Sequence, residues 1–388
     1  MLSPEARLVF RHADPACAPA EFAELARAVT DWPRTFRIAE REMASASLYR
    51  ALSAAEVPLP SDAKADFARS TMIGELRSQH LARRLRDTTR VFGEREIPCL
   101  LLKGAAVGAL LDPTFRARPM SDVDLLVHPP DTQRASEAVI ASGWPMTTDP
   151  VLLELLKDHH HLPHFLDPNV PGIRLELHTR IWPRHHPFAF DEAHLWRDAR
   201  PAPPPFVGAS IPSPEHLLLH TCVHFAWQHT MRFGAWRTFR SIAAAITAPG
   251  FSWTSFETTI RSSRATSAAY WSLRLANHLG GLEIPADVLA RVAPPGIEPW
   301  KSALERHFVI GLVPGEGIQS PSIRLTQWLW KSAIRPAWSG HTGTSPWEMD
   351  EHWLQTTGVN HPTPWARVSR QLGSYHQWWR FAAQLLRR

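Results

Sequence analysis

An α/β chain of the α+β kind, with a small mixed sheet set between two helical regions, is the fold class this sequence predicts. Three observations predict it. Apolar residues recur near the helical period over residues 20–92 and again over 213–310, while CLLLK and DVDLLV between them have the length and apolar character of buried strands. A turn-rich pair of extended segments then follows, HHLPHFLD and IRLELHTRIW joined by PNVPG. At 388 residues the chain exceeds one usual domain. The expected units are a helical region at 1–93, a mixed core at 94–212 and a helical region with a Trp-rich tail at 213–388.

EFAELARAV, FRIAEREMASASLYRAL and DFARSTMIGELRSQHLARRLRDTTRVF read as helices, interrupted by Pro33 and by PLPSD at 58–62, the last ending near Gly93. After CLLLK a turn at Lys103-Gly104 leads into AAVGALL, a helix closed by Asp112-Pro113. DVDLLV is the second strand, and DTQRASEAVIASG is a helix with Gly143 where it ends. The hairpin completes a sheet expected to carry helices on one face, and PAPPP at 201–205 reads as a linker. Ser213 and Pro214 are a cap and first residue for PSPEHLLLHTCVHFAWQH, which is followed by helices in FRSIAAAIT and TSAAYWSLRLANHL and a turn at Gly280-Gly281.

The chemistry is most legible at Asp122 and Asp124. Carboxylates are disfavoured in strand interiors and costly to bury without a cation or hydrogen bonds. Alternation puts both on one face of DVDLLV, opposite Val123, Leu125 and Val127. That arrangement suits a pair of Mg²⁺ ions, which lie roughly 3.5–4 Å apart in phosphoryl and nucleotidyl transfer sites. The same acidic spacing also occurs at Glu40/Glu42, Glu94/Glu96 and Glu348/Asp350, so it acquires meaning only from the strand and the upstream glycine. Lys103, Gly104, Ala105 and Ala106 could present helix N-terminal amides and a full charge to phosphate, or be an ordinary strand-to-helix turn. Glu176 shares a strand face with Arg174 and His178; it is a third metal ligand, a proton acceptor, or part of a solvated polar face.

The order LLLKGAA, RPMSDVDLLV and LELHTRIW resembles the DNA polymerase β-type nucleotidyltransferase superfamily, and more narrowly an uncharacterised bacterial nucleotidyltransferase family with LKG, R…DiDlLV and E-x-H motifs. The resemblance covers roughly residues 94–200. It implies a polymerase β-like core and a Mg²⁺-dependent transfer of a nucleoside monophosphate from an NTP, with two ions held by Asp122, Asp124 and Glu176. It also implies phosphate contacts from Lys103, Gly104, Ala105, Arg118 and Ser121. The acceptor class it suggests is a peptide or sugar of a biosynthetic cluster. A nucleotide-binding or regulatory partner keeping the fold without turnover is the alternative. Departures are Ala105 and Ser121 at small-residue positions, and Ser241 where the relatives tend to carry aspartate.

His216, His220 and His224 fall on one helix face, open to a zinc reading but without the glutamate of HExxH. His220 and His224, with His178, are instead expected to line the acceptor cleft. Cys17, Cys99 and Cys222 form no CxxC pair, which points to a reducing, cytoplasmic setting. The N-terminus has no apolar signal core, and no window reaches the ~18 apolar residues of a spanning helix. A net charge of +5 is spread along the chain, with no concentrated nucleic-acid surface. Trp328, Trp330, Trp338, Trp347, Trp353, Trp365, Trp378 and Trp379 give the tail two readings, core packing or a peripheral membrane or peptide contact through HQWWRFAAQLLRR.

Overall fold

The computed structural model describes residues 2–148, 159–183, 186–313, 330, 333 and 334. Of the tail tryptophans only Trp330 is among them, so the membrane or peptide reading of HQWWRFAAQLLRR lies outside the described residues.

The N-terminal region comprises α1 (Pro4–Arg11), α2 (Pro19–Arg27), α3 (Trp32–Arg41), α4 (Ser45–Ala54) and α5 (Ser61–Glu94). Pro33 sits in the first turn of α3 behind an Asp31 cap, where a missing N–H costs nothing. FRIAEREMASASLYRAL is two helices rather than one. Met43, at φ 57°, reverses the chain between α3 and α4 while the apolar period continues across the break.

Six strands form one mixed sheet in the order β3-β4-β2-β1-β6-β5. They are β1 (Cys99–Leu101), β2 (Asp122–Val127), β3 (Phe165–Leu166), β4 (Arg174–His178), β5 (Arg200–Pro201) and β6 (Ser210–Ile211). Helices α6 (Lys103–Leu111), α7 (Thr132–Ala141) and α8 (Glu192–Arg197) connect them. β2 runs antiparallel to β1 and parallel to β4, which places Asp124 beside Glu176 and Leu126 beside His178. The stretch read as a linker instead contributes the edge hairpin β5–β6. It seats closely on α5: a Cβ on Gly208, at φ +90°, would meet the Thr89 carbonyl at 2.5 Å and the Gly93 backbone at 2.8 Å. Strands this short carry no periodic signal.

Both sheet faces are covered, not one. Val123, Leu125, Val127, Leu175 and Leu177 share a core with Leu81, Leu85 and Phe92 of α5 and with α6 and α7. Leu100, Leu102 and Leu126 belong to a second core made by the N-terminal helices and by α9 (Pro214–Val223), α10 (Ala235–Ile246), α11 (Trp253–Ser262) and α12 (Thr266–Gly280). Helices α13 (Ala286–Val292) and α14 (Lys301–Leu312) follow. Only Leu126 anchors that face of β2 in apolar contacts, so its other end, with Asp122 and Asp124, is left for the site.

Candidate nucleotide and metal site

A cavity of about 280 Å³ opens where β2 and β4 meet α6, α9 and α10. Lys103, Gly104, Arg118, Asp122, Asp124, Arg174 and Glu176 line one side, and His220, Thr221, His224, Gln228, His229, Arg237, Thr238 and Ser241 line the other. The expected carboxylates therefore meet on one wall. Asp124 is 2% and Glu176 7% exposed, which rules out the solvated polar face for Glu176. The other acidic pairs go elsewhere: Glu42 accepts hydrogen bonds from the Gly234 and Trp236 amides, Glu94 and Glu96 are exposed, and Glu348 and Asp350 lie outside the described residues.

Lys103 Nζ donates to Asp124 Oδ1 at 2.7 Å and lies 3.9 Å from Glu176 Oε2. Burial works against its charge, but the carboxylates outweigh burial and hold the ammonium above its usual range. Asp124 also accepts from His178 Nε2 at 2.9 Å; against burial, Lys103 and His178 hold its carboxyl below the ordinary range. Glu176 is lowered too, with burial again opposed, here by His164, His178 and Lys103. The same carboxylate group lies within reach of Asp124 and His178, so Glu176 can share a cation with them. Asp122 moves the other way. Burial and the neighbouring Asp124 raise it, and among the described residues nothing donates to its carboxylate.

The turn differs in detail from the sequence reading. Lys103, not Gly104, carries the positive φ, at 43°. Gly104 is required by a close approach, because a Cβ there would lie 2.5 Å from Arg118 Nη1. Ala105 is fully buried and its amide donates to the Leu102 carbonyl, whereas Lys103 and Gly104, at the first turn of α6, line the cavity. Ser121 does not line the cavity; its carbonyl accepts from Arg174 N at 3.2 Å, in line with the β2–β4 pairing. His178 does not line this cavity either. One rung beyond Glu176 and 1% exposed, it stands behind Asp124 and orients it. His220 and His224 do line the cavity and are kept neutral, His220 by burial and the nearby Lys103 at about 3. His216 Nδ1 pairs with Ser213 Oγ at 2.9 Å, so the three helix histidines do not converge on a metal.

Two features escaped the sequence. Arg237, one turn before Ser241 on α10, faces the cavity with a buried Nε that has no hydrogen-bond partner among the described residues. Arg118 Nε donates to Ser241 Oγ at 3.0 Å, and burial with the neighbouring Arg237 pushes its guanidinium down to about 10. Neither arginine forms an ion pair among the described residues. Two neighbouring cations without an ion pair, both lining one cavity, are a site for anionic groups. The second feature is that α9 does not continue to residue 229 but widens into a π turn at His224–Gln228, a distortion common at functional sites.

The donor set fits Mg²⁺: hard carboxylate oxygens on one wall, one of them, Asp122, short of a counter-charge. Asp124, Glu176 and His178 offer ligand atoms within 4.8 Å of one another, as do His161, His164 and Glu176. No helix among the described residues is long and apolar enough to cross a membrane.

No curated protein and no solved structure matches the chain. The family model described as uncharacterised nucleotidyltransferase matches residues 28–281. That match takes in α3 to α12 and every residue named on the cavity walls, and with well over half of its length covered the chain belongs to the uncharacterised nucleotidyltransferase family.

Proposed function

We propose that the protein transfers a nucleoside monophosphate from an NTP to an acceptor hydroxyl on a polymerase β-like core, with Mg²⁺ held by Asp122, Asp124 and Glu176. The observation that carries this reading is that one cavity brings three carboxylates together with two arginines, Arg118 and Arg237, that form no ion pair among the described residues. Mg²⁺ bound there, as a pair of ions in the full arrangement, would neutralise phosphate charge and activate the acceptor oxygen. Arg118 and Arg237 bind the polyphosphate, and the Lys103 and Gly104 amides at the start of α6 add partial positive charge.

In the reaction the acceptor oxygen bonds the α-phosphorus as the bond to the β-bridging oxygen breaks. Pyrophosphate leaves, and the acceptor's proton passes to a carboxylate of the Asp122–Asp124 wall. Positioning and charge stabilisation supply most of the rate in such transfers, which suits a site rich in fixed charges. His220, His224 and Thr221 form the opposite wall, where the acceptor sits. Its class is a peptide or a sugar on the analogy of the family, and the intended compartment is the cytoplasm.

A second reading, NTP binding without turnover, is favoured by one observation: Lys103 already neutralises Asp124 as a cation would. Pyrophosphate release from each NTP with Mg²⁺ and candidate acceptors separates the two. Release by wild type and its loss in Asp122→Asn supports transfer, whereas Mg²⁺-dependent NTP binding with no release under any condition supports the second reading.

A further inference from the structure

Glu176 has two faces. Its Oε2 looks toward Lys103 and His178, at 3.9 and 3.7 Å, on the side of the nucleotide cavity. Its Oε1 lies 3.3 Å from His164 Nε2, which is outside that cavity, and 3.2 Å from Arg174 Nε at the cavity's edge. On this second side the β3–β4 hairpin folds back: His161 bridges to His178 across the strands, and the rings of His161 and His164 lie 5.4 Å apart. Neither histidine lines the nucleotide cavity.

We propose that His161, His164 and the Oε1 edge of Glu176 form a binding site for a borderline dication such as Zn²⁺, separate from the Mg²⁺ site and sharing Glu176 with it. One ligand atom from each of the three residues lies within 4.8 Å of the other two. Two imidazoles and a carboxylate with positions left open suit Zn²⁺, Co²⁺ or Fe²⁺ and disfavour Mg²⁺, which prefers oxygen. The second shell agrees. His161 Nδ1 faces the Leu162 carbonyl at 2.7 Å; a carbonyl can only accept, so Nδ1 carries the proton and Nε2 keeps its lone pair. His164, 20% exposed, opens a path from solvent. Arg174 is 45% exposed, which leaves it room to give up Oε1 to a cation. The nearby His160, 5% exposed, has an Nδ1 without a partner among the described residues, a further imidazole atom that a packed apolar core does not account for. The proposal does not depend on nucleotidyl transfer.

The test is Co²⁺ titration of the full-length, chelator-stripped protein, read by visible absorption and by displacement with Zn²⁺. Wild type should bind Co²⁺ with a nitrogen-ligand spectrum. Both His161→Ala/His164→Ala and the more exposed single variant His164→Gln should bind roughly tenfold or more weakly. Asp122→Asn should retain the spectrum. Equal Co²⁺ binding by wild type and the histidine variants, or loss of the spectrum in Asp122→Asn, would overturn the site. Mg²⁺-dependent NTP binding, measured alongside, should survive in His164→Gln, so the two sites fail or stand separately.

Discussion

Lys103 concentrates the tension of the site in one residue. It adopts φ 43°, a left-handed conformation that costs a non-glycine residue about 1 kcal/mol, and from there its ammonium reaches Asp124 at 2.7 Å. The adjacent Gly104 is small for the sake of Arg118, not of the turn. Because the obstructed atom is the end of a flexible side chain, Gly104→Ala should fold normally yet displace Arg118 from Ser241. The expected outcome is a KM for NTP raised about tenfold with the thermal midpoint little changed. Unchanged KM would mean that Arg118 does not contact the nucleotide. Asp122 and Asp124 were legible because carboxylates on an apolar strand are rare, and Glu176 because strand alternation is strict. Arg237 was not, since an arginine on an amphipathic helix looks like any solvated one until its neighbours are known.

At the scale of elements, the β3–β4 hairpin delivers Glu176, His164 and His178, and a buried ionic cluster fixes it to α5. Asp167, whose side chain is fully buried, meets His80 Nε2 at 2.8 Å and Arg84 Nε at 3.0 Å while accepting from the Asn169 and Val170 amides. Removing one member leaves buried charge unpaired, so Asp167→Ala should lower stability by about 3 kcal/mol or more in denaturant titration. A loss below about 1 kcal/mol would show the hairpin to be held by its apolar contacts alone. The hairpin itself was legible from PNVPG and the alternation of LELH. Its burial was not, because the cover comes from helices distant in sequence. Periodicity likewise carried α9 through the π turn unbroken, since one widened turn barely shifts the apolar stripe, and it hid the reversal at Met43.

Across the whole molecule, α5 ties the parts together. Its 34 residues span about 50 Å, with Ala63 and Phe67 in the core of the helical regions and Leu81, Leu85 and Phe92 in the core behind the sheet. The C-terminal helices are joined by Glu305, which receives Arg274 and His278. Its hydrogen bond raises His278 above 6.5, so the folded state binds that proton more tightly than the unfolded chain. The resulting stability is fully present below about pH 6.5 and is lost as pH rises through the folded value. Thermal midpoints of wild type and His278→Ala should therefore differ more at about pH 6 than at about pH 9. A difference independent of pH would contradict the coupling.

Under the proposed function, the α-phosphorus of an NTP is the atom attacked in this cavity. The most direct measurement follows label from NTP carrying it in either the α- or the γ-phosphate, with Mg²⁺ and candidate acceptors. Label from the α position alone should appear on the acceptor, together with free pyrophosphate, and both should vanish in Asp122→Asn. Transfer of γ label, or equal α transfer by Asp122→Asn, would contradict it.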